Sequence, residues 1–201
     1  MEILVEARGA ATRTLSALPE GTEVAVSGPL GRPFNDHPKN AAALLIAGGI
    51  GVAGLRLLAS ELLADGTPVI ALIGATTADR LLDGTLPRPT ESEDLRIELA
   101  TDDGTAGHEG TVCDLLRSHE EQLPEACHAY ICGPRAMIDS AGGMALDMGL
   151  GASALLEETM ACGVGACRGC VVATRNGYRS VCGEGPVFDV RDLLPERDDD
   201  A

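Results

Sequence analysis

The sequence predicts an α/β fold, a parallel sheet with helices on both faces, followed by a small β-rich domain at the C-terminus. Three observations carry this. Short, continuous apolar runs recur at Ala42 to Ala47, Pro68 to Ile73, Leu95 to Leu99 and Cys127 to Cys132, as strands buried on both faces require. Between them lie segments with apolar residues at helical spacing, such as Leu55, Leu58 and Leu62. Beyond residue 150 the apolar runs shorten and are cut by Gly and Cys. Strand–helix alternation of this kind builds a parallel sheet by right-handed crossovers.

The elements follow in order. Residues 1–34 read as strand, helical turn, strand, with β-like runs at Ile3 to Val5 and Val24 to Val26 and the turn at Thr14 to Leu18. This part is too short to close a sheet alone. Gly28-Pro29-Leu30-Gly31 is a loop. Thr77 to Leu82, Gly110 to Gln122 and Pro134 to Met148 read as helices, the last with Pro at its start, where the missing N–H costs nothing. Val171 to Thr174 and Tyr178 to Val181 flank Asn176-Gly177, a strong hairpin signal. The expected division is a remnant of a barrel at 1–37, a nucleotide-binding α/β domain at 38–150 and a cluster domain at 151–201.

Composition narrows the function. The 201 residues are 45% hydrophobic but only 2% aromatic, so the core must be Ala, Val, Leu and Ile. The net charge of −16 excludes nucleic acid as a natural partner, because phosphates are repelled. The acidity fits a salt-rich cytoplasm or, equally, a GC-rich coding sequence with an acidic tail at Asp198, Asp199 and Asp200. No apolar run reaches the roughly 20 residues of a membrane span, and the acidic start is unlike a signal peptide. The expectation is a cytoplasmic protein with no membrane contact.

Seven cysteines, an odd number with four crowded near the C-terminus, do not make a secreted disulfide framework. Cys162, Cys167, Cys170 and Cys182 follow C-x4-C-x2-C…C, the spacing of plant-type [2Fe–2S] sites. Two bridged irons need four thiolates close together, and a Gly-rich loop lets backbone amides reach the sulfurs. The hairpin at Asn176-Gly177 returns the fourth ligand. The alternative is zinc on four cysteines, but zinc ribbons pair two short knuckles and Cys182 has no knuckle partner.

Gly49-Ile50-Gly51-Val52-Ala53-Gly54 fits G-x-G-x-x-G between strand and helix, placing a phosphate-binding turn at a helix N-terminus. The second strand ends Ile73-Gly74-Ala75, without the acid that a standard Rossmann NAD site uses. Glycines chosen only for close packing are the competing reading. His108 reads as a turn residue, Cys113 and Cys127 as core, Asp102 and Asp103 as turn residues, and Arg168 as a solvated charge. Cys132 is either a small buried hydrophobe or a cofactor contact.

Taken together, these segments resemble the ferredoxin–NADP reductase superfamily, and within it the electron-transfer subunits of type B dihydroorotate dehydrogenase. The resemblance rests on Gly28-Pro29-Leu30-Gly31, on Ala47-Gly48-Gly49-Ile50-Gly51, on Asp103-Gly104 with Gly107-His108-Glu109-Gly110, on Cys132-Gly133-Pro134, and most specifically on Glu157 to Cys167 and Val181 to Phe188. It implies nucleotide contacts at Gly48, Gly49, Gly51, Cys132, Gly133 and Pro134, the cluster on the four cysteines, and FAD contacts at Ala11 and Thr12. It implies an FMN-containing dihydroorotate dehydrogenase as partner in a hetero-oligomer. Electrons would pass to NAD⁺ by way of the [2Fe–2S] cluster and FAD, in pyrimidine biosynthesis. No catalytic side chain is expected, since the cofactors carry the chemistry. The alternatives are a flavin/iron–sulfur subunit of another oxidoreductase complex, such as a hydrogenase or glutamate synthase assembly, and a non-enzymatic zinc module.

Two departures qualify the match. Gly54 stands where such reductases usually have Pro. The flavin barrel is mostly missing, whether through a late start or a truncation, and Ala11 replaces a Gly. The expectation is that the chain alone binds FAD weakly.

Overall fold

The computed structural model describes residues 2–34, 37–87 and 93–194. The acidic tail at Asp198 to Asp200 lies outside the described residues. The nucleotide-binding part is built from β1 (Ala42–Gly48), α2 (Val52–Ala64), β2 (Val69–Ala75), β3 (Leu95–Thr101), β4 (His108–Glu109), α3 (Val112–Ser118), β5 (Cys127–Cys132), α4 (Arg135–Asp147) and β6 (Gly151–Leu155), with α1 (Ala10–Ser16) ahead of them. Then come the hairpin β7 (Val171–Thr174) and β8 (Gly177–Ser180), α5 (Val181–Glu184), β9 (Val187–Asp189) and α6 (Val190–Leu193).

Seven strands form one sheet in the order β4-β3-β2-β1-β5-β6-β9. All pairings are parallel except that of β9, which runs antiparallel to β6. The hairpin forms a separate two-stranded sheet.

The period of two along β1 shows why its apolar run is unbroken. Ala43, Leu45 and Ala47 face α2, packing with Val52, Leu55, Ala59 and Leu62. Ala42, Leu44 and Ile46 face the other way, with Leu115 and Leu116 of α3 and Ile138, Ala141 and Ala145 of α4. Both faces are covered, so every position is apolar. Each fully buried Leu or Ile contributes about 1.5–3 kcal/mol. The helix α3 is fixed at its start by a reciprocal cap. The Thr111 hydroxyl accepts from the Asp114 amide (3.2 Å), and the Asp114 carboxylate accepts from the Thr111 amide (2.9 Å).

The N-terminal expectations need correction. Neither Ile3 to Val5 nor Val24 to Val26 forms a strand, and Ile3 and Val26 are 60% and 59% exposed. Strand propensity is realised only where a neighbouring strand takes up the backbone groups, and here none does. The helix lies at Ala10–Ser16, earlier than the expected Thr14 to Leu18, and buries no residue. Of the expected helix at Thr77 to Leu82 only a single turn, Ala78–Arg80, is present. The Gly110 to Gln122 helix is divided into α3 and a further turn at Glu120–Gln122.

The segment after residue 150 is tied into the main body. β6 and β9 both belong to the large sheet. Cys170, Val172, Val181, Cys182 and Phe188 share one buried cluster with α3 and α4. Among the described residues, no helix is long and apolar enough to cross a membrane.

Candidate functional site

The sheet order reverses between β1 and β5, so their C-terminal ends open a crevice, the usual place for a ligand in such sheets. Gly48 to Gly51 leaves β1 and turns into α2, while Gly133-Pro134 leaves β5 beside it. The packing is backbone on backbone. A Cβ on Gly51 would lie 2.3 Å from the Cys132 carbonyl oxygen, although the Gly51 backbone is ordinary helix at φ −58°. A Cβ on Gly48 would lie 2.5 Å from Met137 Sδ and 3.0 Å from Pro134 Cδ. Gly49 differs: its φ is +53° and a Cβ there would meet nothing within 4 Å. Gly51 is therefore glycine for closeness, and Gly49 for its backbone conformation under open space. A tight turn at Gly49–Gly51 runs directly into α2 and takes up the Val52 amide, and no side chain caps this helix start, the kind of backbone terminus at which anions bind.

A cavity of about 500 Å³ lies over this end of the sheet. Gly48, Gly49, Gly74, Thr76, Asp102, Thr111, Pro134 and Met137 line it, and Leu4, Val5, Glu6 and Arg8 lean over it. Its volume suits a small-molecule or cofactor site. Thr76, Asp79, Arg80 and Met137 were missed by the sequence reading, and Asp102 was read only as a turn residue. The signal that finds them is position: each follows the C-terminal end of a parallel strand.

Cys132 is buried and its thiol faces Gly54 of α2, where a Cβ would be 3.2 Å from the sulfur. Burial, then the charge of Glu157, pushes this thiol up to about 12. It does not line the cavity, whereas Pro134 does. Ala11 and Thr12 also lie off the cavity. Ala11 is exposed, and the Thr12 hydroxyl accepts from the amides of Gly9 (3.0 Å) and Arg8 (3.1 Å), capping its own helix.

The second centre is the cysteine loop. Gly163, Gly165 and Arg168 all have positive φ, which curls the chain so that its amides point inward at sulfur. The Gly165 amide donates to Cys182 Sγ (3.1 Å). Those of Cys167, Gly169 and Cys182 donate to the sulfurs of Cys162, Cys167 and Cys170, each at 3.4 Å. The thiols contact one another in two pairs, Cys162 with Cys167 and Cys170 with Cys182. The amides of Cys167 and Val164, with the Cys167 thiol and the Ala166 amide, pull Cys162 down to about 6. Cys170 is lowered, chiefly by the Cys182 amide, while Cys182 is raised, chiefly by the Cys170 thiol. Among the described residues, no three His, Cys, Asp or Glu side chains converge as one metal ion would require. The donor set, four soft sulfurs in two pairs under backbone amides, fits a thiolate-held cluster.

Comparison with known proteins agrees with both centres. A family model for the iron–sulfur cluster binding domain of dihydroorotate dehydrogenase B matches residues 157–194, and one for an oxidoreductase NAD-binding domain matches 45–142. The electron transfer subunit of dihydroorotate dehydrogenase B (NAD⁺) from Shouchella clausii is 35% identical over 199 residues, covering 96% of this chain and 73% of the relative. That from Clostridium acetobutylicum is 33% identical, covering 90% and 68%. This chain belongs to the family of dihydroorotate dehydrogenase B electron transfer subunits. Membership implies a catalytic dihydroorotate dehydrogenase B partner and a cofactor set of [2Fe–2S], FAD and NAD. These relatives do not favour a zinc module or a subunit of another complex.

Among solved structures, a chain of the NADH-dependent reduced ferredoxin–NADP oxidoreductase, described in terms of flavin-based electron bifurcation, superposes with a TM-score of 0.81 at 27% identity. It covers 94% of this chain and 67% of that one. The ferredoxin reductase of carbazole 1,9a-dioxygenase shares the fold (TM-score 0.56, 20% identity, covering 74% and 46%).

Proposed function

We propose that this chain relays electrons from an FMN-containing dihydroorotate dehydrogenase subunit to NAD⁺, in a cytoplasmic hetero-oligomer of pyrimidine biosynthesis. Cys162, Cys167, Cys170 and Cys182 hold the cluster, and Gly48, Gly49 and Pro134 line the NAD site, with Gly51 and Gly133 packed beneath them. When bound, the cluster and flavin supply the redox chemistry. The protein's part is placement. The inward amides offset negative charge on the sulfurs. The glycine turn Gly49–Gly51 that leads into α2 carries no side-chain cap and meets the cavity at Gly49, where phosphates belong. Exposed apolar Val164 and Met160 beside the cysteine loop suit a buried contact with the partner. Ala11 and Thr12, on a helix that buries no residue, stay assigned as FAD contacts in this reading, with FAD between the cluster and NAD⁺. The division at 1–37, 38–150 and 151–201 stays part of this reading, with β6 and β9 lending the third part its hold on the large sheet.

The observation that carries the proposal is that each of the four cysteine sulfurs accepts a backbone amide, as a thiolate-held cluster requires. The test is anaerobic purification followed by metal and acid-labile sulfide analysis. Two irons and two sulfides per chain are expected. One equivalent of zinc without sulfide overturns the reading.

A further inference from the structure

The two cysteine pairs differ in depth. Cys170 and Cys182 are 1% and 4% exposed, whereas Cys162 is half-buried and Cys167 is exposed. Whatever covers the outer pair decides how water and small solutes reach it. The loop itself offers little cover, since Gly163 and Gly165 carry no side chains. An apolar side chain from the N-terminal part does reach it. Leu30 Cδ1 lies 3.2 Å from the position a Gly163 Cβ would take, next to Cys162 in the chain.

Leu30 is held there by its backbone neighbours. The Arg32 amide donates to the Gly185 carbonyl (2.5 Å), and Arg32 forms an isolated parallel bridge with Pro186. Gly31 has φ +75°, and a Cβ on it would lie 2.5 Å from the Gly185 oxygen and 2.8 Å from Pro186 Cδ. Only glycine permits that approach. The strap Gly28–Arg32 therefore touches the chain just after Cys162 through Leu30 and just after Cys182 through Gly31 and Arg32. Leu30 is itself 49% exposed, so it is not core. An apolar side chain left half in water, seated on a glycine of the ligand loop, acts as a cover.

We propose that Leu30, pinned by Gly31 and Arg32 on Gly185-Pro186, is a positioning residue that covers the cysteine loop at Gly163 and so shields its Cys162 side from solvent. This rests on the cluster assignment above. The shield slows loss of the bound cluster and lowers solvent access on the Cys162 side, a property to which such clusters respond.

The test uses the full chain, purified anaerobically with its iron and sulfide counted. Its visible absorption is followed during challenge with an iron chelator, and its electron paramagnetic resonance spectrum is recorded after dithionite reduction. Leu30→Ser removes the cover, and Gly31→Ala lifts the strap. Both should load two irons, bleach roughly tenfold faster than the unaltered chain, and shift the spectrum. Leu30→Met should keep the rate within about twofold of the unaltered chain, as should Leu18→Ser, which alters another exposed leucine of the N-terminal part. A Leu30→Ser chain that loads two irons and bleaches at the unaltered rate overturns the proposal. Absence of iron and sulfide from the unaltered chain overturns the cluster assignment, and the shield with it.

Discussion

The nucleotide crevice and the cysteine loop answer differently to the addition of one methyl group. At the crevice, a Cβ on Gly51 would drive into the Cys132 carbonyl at 2.3 Å, with strands on both sides to resist any shift. In the loop, a Cβ on Gly165 would meet only the Ser180 hydroxyl, at 3.6 Å, and the strain there would come from its φ of +78° and not from a neighbour. The crevice is shaped by the sheet before any ligand arrives. The loop is held by four long amide–sulfur contacts and by whatever the sulfurs bind. One site is a consequence of the fold, and the other depends on its own chemistry.

The sharpest way to break this contrast is Cys167→Ala. It should abolish the visible iron–sulfur absorption while leaving the far-ultraviolet circular dichroism of the sheet in place. Collapse of the sheet signal would mean that the loop supports the fold. Gly51→Val is the reverse experiment. Overpacking against a backbone carbonyl should cost about 3 kcal/mol, lowering Tm by about 6–12 °C in a chain of this size. Nucleotide affinity should fall with it, measured by calorimetric titration with NADH, and unchanged melting would show that the crevice yields. A smaller effect comes from Thr111→Ala at the rim of the cavity, which removes the hydroxyl half of the α3 cap. About 1 kcal/mol is expected. Hydrogen bonds from Thr111, then the Arg117 guanidinium, hold the Asp114 carboxyl below its usual value. Its folded value is depressed, so its stabilisation is full above the ordinary carboxylate range and fades as pH falls through the folded value. The gap between Thr111→Ala and the unaltered chain should therefore narrow in acid, as thermal melts at pH 7 and near pH 3 would show.

What could be read from sequence followed the same contrast. The strands β1, β2, β3 and β5 were legible because burial on both faces writes an unbroken apolar run. The cysteine spacing and the hairpin were legible because both are local patterns. Pairing was not legible. Ile3 to Val5 and Val24 to Val26 carry strand-like residues, yet lie unpaired, and nothing in a single run reveals whether a neighbour will be present. β9 escaped notice because three residues are too few for a pattern, and its place beside β6 is fixed by distant residues. Asp102 was legible as a turn residue and is one, in the turn closed by the Gly104 amide on the Thr101 carbonyl. Only the parallel register of β3 brings it to the cavity.

The return of the chain to β9 has a consequence for how such a protein can change. The cysteine segment leaves the large sheet at the end of β6 and re-enters it on the adjoining strand, with Leu155 paired to Val187. Its two ends are thus fastened side by side, so the exposed parts of the segment can change length at a closure cost that grows only slowly, so long as Val172 and Val181 keep their places in the core. In engineering terms the metal-binding segment is a cassette with a fixed socket. A loop bearing a different set of ligands could be grafted between the same two strands and would begin from a known position relative to the nucleotide crevice.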